Sequence, residues 1–192
     1  RIGFLDLLRA VKMRWEQDRG NLLQSAQALT GQLQQVQGAA PPQLSWQHLS
    51  LQAARWFKRN FDEANGGFGD APKFPMAHNL MFLMEYYLVN RDRRALEMAE
   101  KTLMQMYRGG IFDHIGGGFS RYSTDKYFLV PHFEKMLYDN ALLLMAYTQA
   151  YSITGKEVYR EVVRKTAQYI QREMSHPEGG FYSAQDADSQ GV

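Results

Sequence analysis

The chain contains no cysteine among its 192 residues. A disulfide framework, a zinc–thiolate site and a cysteine nucleophile are therefore excluded within it. Charge of one sign is also lacking: 22 Lys and Arg stand against 20 Asp and Glu, a net charge of +2. So even a balance does not give the massed basic face that nucleic acid requires. Long apolar runs are missing as well. The longest, Ala141 to Tyr147, falls far short of the roughly 20 residues of a membrane span. The start Arg1-Ile-Gly-Phe-Leu-Asp passes quickly into a charged helical pattern and does not read as a signal peptide. The chain opens without Met, which reads as a segment of something longer. Absence of cysteine fits a reducing compartment, and the expected location is cytoplasmic. No metal and no cofactor is expected.

What is present is apolar and helical. Hydrophobic residues make up 45% of the chain, enough for a packed core. Leu5, Leu8, Val11 and Trp15 recur at three- and four-residue steps, so Phe4 to Val36 reads as helix, with Gly20 or Gly31 as the expected interruption. Gln-rich Gly31 to Pro42 reads as a linker stopped by Pro41-Pro42. Ser45 is an expected N-cap for a helix over about Trp46 to Asp62. Further helices are expected over about Ala77–Val89, Arg93–Met106, Pro131–Ser152 and Glu157–Met174. Pro131 is placed at a first helical position, where its missing N–H is harmless.

Between the helices Gly-Gly-Phe recurs at 66–68, 117–119 and 179–181, at spacings of 51 and 62 residues. Each spacing holds two helices, which is the mark of a repeated supersecondary unit. Ala77–Val89 and Met136–Tyr151 are apolar nearly all round, whereas the other helices carry charge on one face. That alternation of inner and outer helices predicts an all-α fold. The expected architecture is helical hairpin repeats forming about half of an (α/α)6 toroid, with minor short β-hairpins in the loops.

Chemistry concentrates around the second Gly-Gly-Phe. His132, Glu134, Lys135, Tyr138 and Asp139 place five ionisable or phenolic groups in eight residues at the entry of an apolar helix. On a helix, His132, Lys135 and Asp139 would share one face, and Glu134 and Tyr138 would pair at i, i+4. A histidine there can serve as acid or base, because its pKa lies near neutrality. A core would not choose such residues, so a site is expected: His132, Glu134, Asp139 and His114 as catalytic candidates. Arg121, Tyr122, Lys135 and Tyr138 are substrate-binding candidates. Asp186 and Asp188 follow the third Gly-Gly-Phe and can act in acid/base or cation chemistry or simply make turns. They are carried as substrate-binding residues, not as a metal site. Lys73 can pair with an anion or a neighbouring loop's carboxylate, and Phe74 can stack on a ligand or pack. With 11 Tyr and 13% aromatic content, rings beside polar groups suit a sugar.

Four segments together resemble one family. They are Gly67-Phe-Gly-Asp-Ala-Pro-Lys-Phe-Pro75, Gly117-Gly-Phe-Ser-Arg-Tyr-Ser-Thr-Asp125, Pro131-His-Phe-Glu-Lys-Met-Leu-Tyr-Asp-Asn140 and Gly180-Phe-Tyr-Ser-Ala-Gln-Asp-Ala-Asp-Ser189. The family is the spermatogenesis-associated, thioredoxin-domain-containing proteins. The resemblance implies an N-terminal thioredoxin-like domain followed by an (α/α)6 barrel similar to those of N-acylglucosamine 2-epimerases and cellobiose epimerases. It implies that residues 1–42 are a linker helix after a thioredoxin-like domain outside this chain, and that residues 43–192 are the first half of the barrel.

Three functional readings follow. In the first, a sugar epimerase or isomerase uses His132 as acid/base, with Arg121, Tyr122 and Asp188 orienting substrate. A glycosidase would instead pair Glu134 or Asp139 with Asp186 or Asp188. The second reading is a non-catalytic binding or scaffold module. The third is a half-ring that closes its core by self-association.

Overall fold

The computed structural model describes residues 3–38 and 45–188. It divides into two compact units, Arg1–Ser45 and Trp46–Val192.

The first unit holds α1 (Phe4–Gln17) and α2 (Arg19–Gly38). The interruption lies at Asp18, not at either glycine. Asp18 leaves the helical region (φ −145°, ψ 44°), and its carboxylate accepts from the Asn21 amide at 2.8 Å. A short acidic side chain that competes for local donors ends a helix more effectively than a glycine in open space. Gly20 and Gly31 both remain helical. Helix α2 runs on to Gly38, through much of the expected linker; Pro41-Pro42 lies outside the described residues.

The second unit begins with α3 (Trp46–Asn60) and continues through α4 (Ala77–Asn90), α5 (Arg93–Arg108), α6 (Leu137–Thr154) and α7 (Glu157–Glu173). Helices α4 and α6 pack against each other, and each also packs against its outer partner, α5 or α7. Leu80, Leu83, Met84, Leu143, Ala146 and Tyr147 are fully buried between them. Each such Leu or Met contributes about 2 kcal/mol by leaving water. The outer helices bury one stripe only, such as Ala95, Met98, Ala99, Thr102, Leu103 and Met106 of α5. Two-residue turns join α4 to α5 and α6 to α7. In the first, Asp92 caps α5 by accepting from the Arg94 N–H; in the second, left-handed Gly155 closes α6.

Four two-residue strands complete the unit: β1 (Tyr122–Ser123), β2 (Pro131–His132), β3 (Lys135–Met136) and β4 (Ala184–Gln185). β1 pairs antiparallel with β2, and β3 with β4. This corrects the helix expected from Pro131. That proline opens a strand, and α6 starts six residues later at Leu137. The reason is non-local, because β3 finds its partner fifty residues downstream, with Lys135 opposite Gln185. His132, Lys135 and Asp139 therefore do not share a helix face, and Glu134 and Tyr138 are not a helical pair.

The Gly-Gly-Phe loops gather at one end. A bridge from Lys73 to Ser123 joins the first to the second, and the β3–β4 ladder joins the second to the third. All three share one design, in which the residue before the loop bridges its phenylalanine: Phe61 to Phe68, Phe112 to Phe119 and Ser175 to Phe181. Glycine is required where the next outer helix presses in. Gly118 has φ +78°, and a Cβ there would lie 2.4 Å from the ring of buried Tyr169. Gly118→Ala is expected to cost about 2–4 kcal/mol, from left-handed strain plus overpacking. A urea midpoint measured by circular dichroism checks this.

Candidate functional site

The loop end is built first by two buried lysines. Asp62 turns its own loop, its Oδ1 accepting from the N–H groups of Ala64 (3.0 Å) and Asn65 (2.9 Å). Its Oδ2 accepts from Lys73 Nζ at 2.6 Å, and the same ammonium donates to the Gly66 carbonyl at 2.7 Å. Asp113 repeats the arrangement. Its Oδ1 accepts from Ile115 and Gly116, and its Oδ2 accepts from Lys135 Nζ at 2.9 Å, while that ammonium also donates to the Gly117 carbonyl. Aromatic rings cover both cations, Phe128 over Lys73 and Tyr169 over Lys135. Burial pulls both aspartates upward, but the lysine and the loop N–H groups outweigh it and hold the carboxyls below their ordinary range. This revises the roles expected of Lys73 and Lys135. Both ammonium groups are turned inward to fasten loops and are not presented to a ligand. In the third loop His176 stands in the aspartate's place, and its Nδ1 accepts from the Glu178 N–H at 3.1 Å.

The β1–β2 hairpin and the start of α6 hold a second group of candidates. The β1–β2 register sets Tyr122 opposite His132, and their rings stack at 4.8 Å with 18° between planes. Phe74 also packs on the same tyrosine, tilted by 33° at 4.9 Å. Arg121 precedes the strand and pairs with Glu134, Nη1 to Oε2, at 2.8 Å. Its backbone N–H also donates to the Glu134 carbonyl at 2.7 Å. Asp139 sits in the first turn of α6. Burial pushes its carboxyl up to about 6; Arg121 and a hydrogen bond from Tyr138 oppose the rise, and Glu134 adds to it. Arg121, Glu134, Tyr138 and Asp139 thus form one electrostatic cluster.

Among the described residues, five shielded side-chain polar atoms lack a hydrogen-bond partner. Three of them belong to this neighbourhood: Arg121 Nε, His132 Nδ1 and Asp139 Oδ2. Unpaired buried polar atoms cost free energy wherever they occur.

Among the described residues, the side chains of the other expected residues make no hydrogen bond, ion pair or ring contact with that group. His114 is exposed, with its ring against Tyr107 and Phe112 and not against the Tyr122–His132 stack. Asp186 and Asp188 are exposed, and the hydrogen bond between them runs from the Asp188 N–H to Asp186 Oδ1. Extending the β3–β4 register by one residue sets Asp186 opposite Glu134. Ser189 lies outside the described residues.

Two structural residues went unassigned from sequence. Asp125 accepts from the N–H groups of Tyr127, Leu129 and Val130 and so shapes the β1–β2 connection. Asn140, fully buried, ties α6 to Phe119 through its side chain. Both lay within quoted motifs, but neither residue type in isolation signals such a role.

The fold is that of the (α/α) barrel of solved sugar epimerases and glycoside hydrolases. The likeness to those structures holds at low identity. A cellobiose 2-epimerase from Bacillus thermoamylovorans is similar with a TM-score of 0.64 at 18% identity, over 72% of this chain and 39% of that one. An unsaturated glucuronyl hydrolase specific for heparin gives 0.59 at 14% identity, over 76% of this chain and 43% of that one. No family model matches the chain. Sequence relatives are closer. Human spermatogenesis-associated protein 20 is 42% identical over 199 residues, covering 98% of this chain. An uncharacterised Caenorhabditis elegans protein, B0495.5, is 36% identical over 194 residues. The chain is a homologue of the spermatogenesis-associated proteins, and it spans 25% of the human protein's length.

Proposed function

We propose that the loop end of the second unit is a sugar-binding acid/base site of the epimerase or isomerase type. The observation that carries this is the cluster of unpartnered atoms on Arg121, His132 and Asp139 beside an aromatic stack. Stacked rings flanked by unsatisfied donors and acceptors suit a polyhydroxylated ring. In the reaction one base takes the proton from the carbon next to a sugar carbonyl, and the bonding electrons move to the carbonyl oxygen. A conjugate acid then returns a proton to the other face. His132 and Asp139 are assigned these two roles, Asp139 because burial raises its carboxyl to about 6. Arg121 would stabilise the transient oxyanion, with Tyr122 and Phe74 holding the ring. Lys73 and Lys135 support the loops under this site and take no part in the chemistry. The linker role of the first unit belongs to the same proposal, as does the location in the cytoplasm.

One observation favours a second reading. Glu134 pairs with Arg121, while neighbouring Asp139 is half-buried and raised. Two carboxyls in such different surroundings would divide the work of a glycosidase, one as acid and one as base or nucleophile.

Incubation with mannose, glucose, N-acetylhexosamines and cellobiose in D2O, followed by NMR, separates the two. Epimerase chemistry places deuterium at C2 without cleavage, whereas hydrolysis releases new reducing ends. His132→Ala is expected to lower C2 exchange about 10²–10⁴-fold. Equal exchange by the variant removes His132 from the mechanism. No exchange and no cleavage by the unaltered protein leaves the non-catalytic binding module.

A further inference from the structure

The two inner helices begin alike and differ at one buried position. Counting from their first residues, Ala77-His78-Asn79-Leu80 of α4 matches Leu137-Tyr138-Asp139-Asn140 of α6. The match continues inward, with Leu83 and Leu143 both fully buried. Leu80 and Asn140 are likewise both fully buried. The repeat therefore accepts leucine at this point, and burying an amide there costs free energy unless it is bonded.

Asn140 is fully bonded. Its Oδ1 accepts from the Phe119 N–H at 2.7 Å, and its Nδ2 donates to the Phe119 carbonyl at 3.0 Å and the Met136 carbonyl at 2.9 Å. Phe119 is the last residue of the second Gly-Gly-Phe, two before Arg121. Met136 directly precedes α6, and Asp139 is the neighbour of Asn140. One side chain thus joins the segment leading into Arg121 to the helix turn that carries Asp139. In the first loop, where leucine fills the place, the segment after Phe68 bears no arginine and the helix bears Asn79 in place of Asp139.

We propose that Asn140 is a positioning residue, which fixes the first turn of α6 against the Phe119–Arg121 segment and so sets Asp139 beside Arg121. The inference rests on the acid/base reading of that site, because positioning matters there only if Asp139 does chemistry. Groups facing Asp139 are Arg121 and Glu134 from the hairpin and Tyr138 from its own helix. Loosening the clamp admits water to a carboxyl whose largest perturbation is burial, so its titration moves down.

The test is ¹³C-carboxyl NMR titration of Asp139 in the 192-residue chain, comparing the unaltered protein with Asn140→Leu and Asn140→Ser. Thermal melting is measured in parallel. Asn140→Leu is expected to fold, as the Leu80 precedent requires, and to lower the Asp139 midpoint by about one pH unit or more. Asn140→Ser carries one donor and can serve only one of the two carbonyls that the amide holds, and an intermediate shift is expected. An unmoved midpoint in a folded Asn140→Leu chain overturns the proposal and leaves Asn140 a core residue. A chain that cannot fold with leucine overturns it too, because the amide is then demanded by the fold. If Asp139 in the unaltered protein titrates in the ordinary aspartate range, it is the acid/base reading that fails.

Discussion

Replacing Asp139 by asparagine is expected to lower turnover of any sugar substrate by about 10²–10⁴-fold while making the chain more stable at neutral pH. The two effects have one origin. Folding buries about half of this carboxyl and raises its pKa from 3.8 to about 6. The folded chain therefore holds that proton more tightly than the unfolded chain. The resulting stabilisation is complete below about pH 4 and is lost as pH rises through 6. At pH 7 the ionised group is a net cost of folding. A shift of this size corresponds to about 3 kcal/mol at full strength, and partial exposure to water reduces it to about 1 kcal/mol. Asparagine carries no charge and already occupies the matching position of α4 as Asn79. Urea midpoints at several pH values between 4 and 7 check the claim. The unaltered chain should lose stability across that window relative to Asp139→Asn, and the difference should flatten above pH 7. A variant that is both inactive and less stable at pH 7 would mean that Asp139 serves packing.

Lys73→Met is expected to be the most damaging single change to the loop end, at about 3–5 kcal/mol. The ammonium is almost wholly enclosed, with 1% of its side chain exposed, and its partner Asp62 retains 17%. Removing the cation leaves a shielded carboxylate and the Gly66 carbonyl without their donor. For a unit of this size the loss corresponds to a fall of about 10 °C in Tm. Asp62 is held well below the ordinary carboxylate range, first burdened by burial and then rescued by Lys73 and Asn65. Its contribution is therefore present above that range and fades as pH drops below it. Lys73→Met should erase this acid sensitivity along with the stability. Adding Asp62→Asn to Lys73→Met should restore part of the loss, since the stranded charge is then gone. The Arg121–Glu134 pair differs in kind. Arg121 keeps 40% of its side chain exposed, so that pair contributes little to stability and its value lies in the site.

The helices of the second unit were legible because their information is local. Apolar residues three and four apart define a face wherever the rest of the chain goes, and inner helices differ from outer ones in how much of the circumference is apolar. The Gly-Gly-Phe loops were legible for a similar reason, since consecutive glycines announce left-handed backbone. Gly66, Gly67, Gly117, Gly118, Gly179 and Gly180 all take positive φ. The candidate residues also stood out in sequence as an excess of polar groups at the entry of an apolar helix.

Tertiary structure decided what local spacing could not. Pro131 to Met136 carries good helix-start signals, yet β3 forms because Lys135 and Met136 find Gln185 and Ala184. From sequence Lys73 could pair with an anion or a neighbouring loop's carboxylate and Lys135 reads as substrate-binding, but a loop aspartate 11 residues before one and 22 before the other claims each ammonium. Asn140 could have been noticed only by laying α6 over α4 and asking why an amide replaces a leucine. Periodicity determined the helices and repeats, because backbone hydrogen bonding within a helix depends on near neighbours. Which polar side chains are consumed inside the loops and which are left for chemistry depended on partners brought together by folding, and no local pattern records those partners.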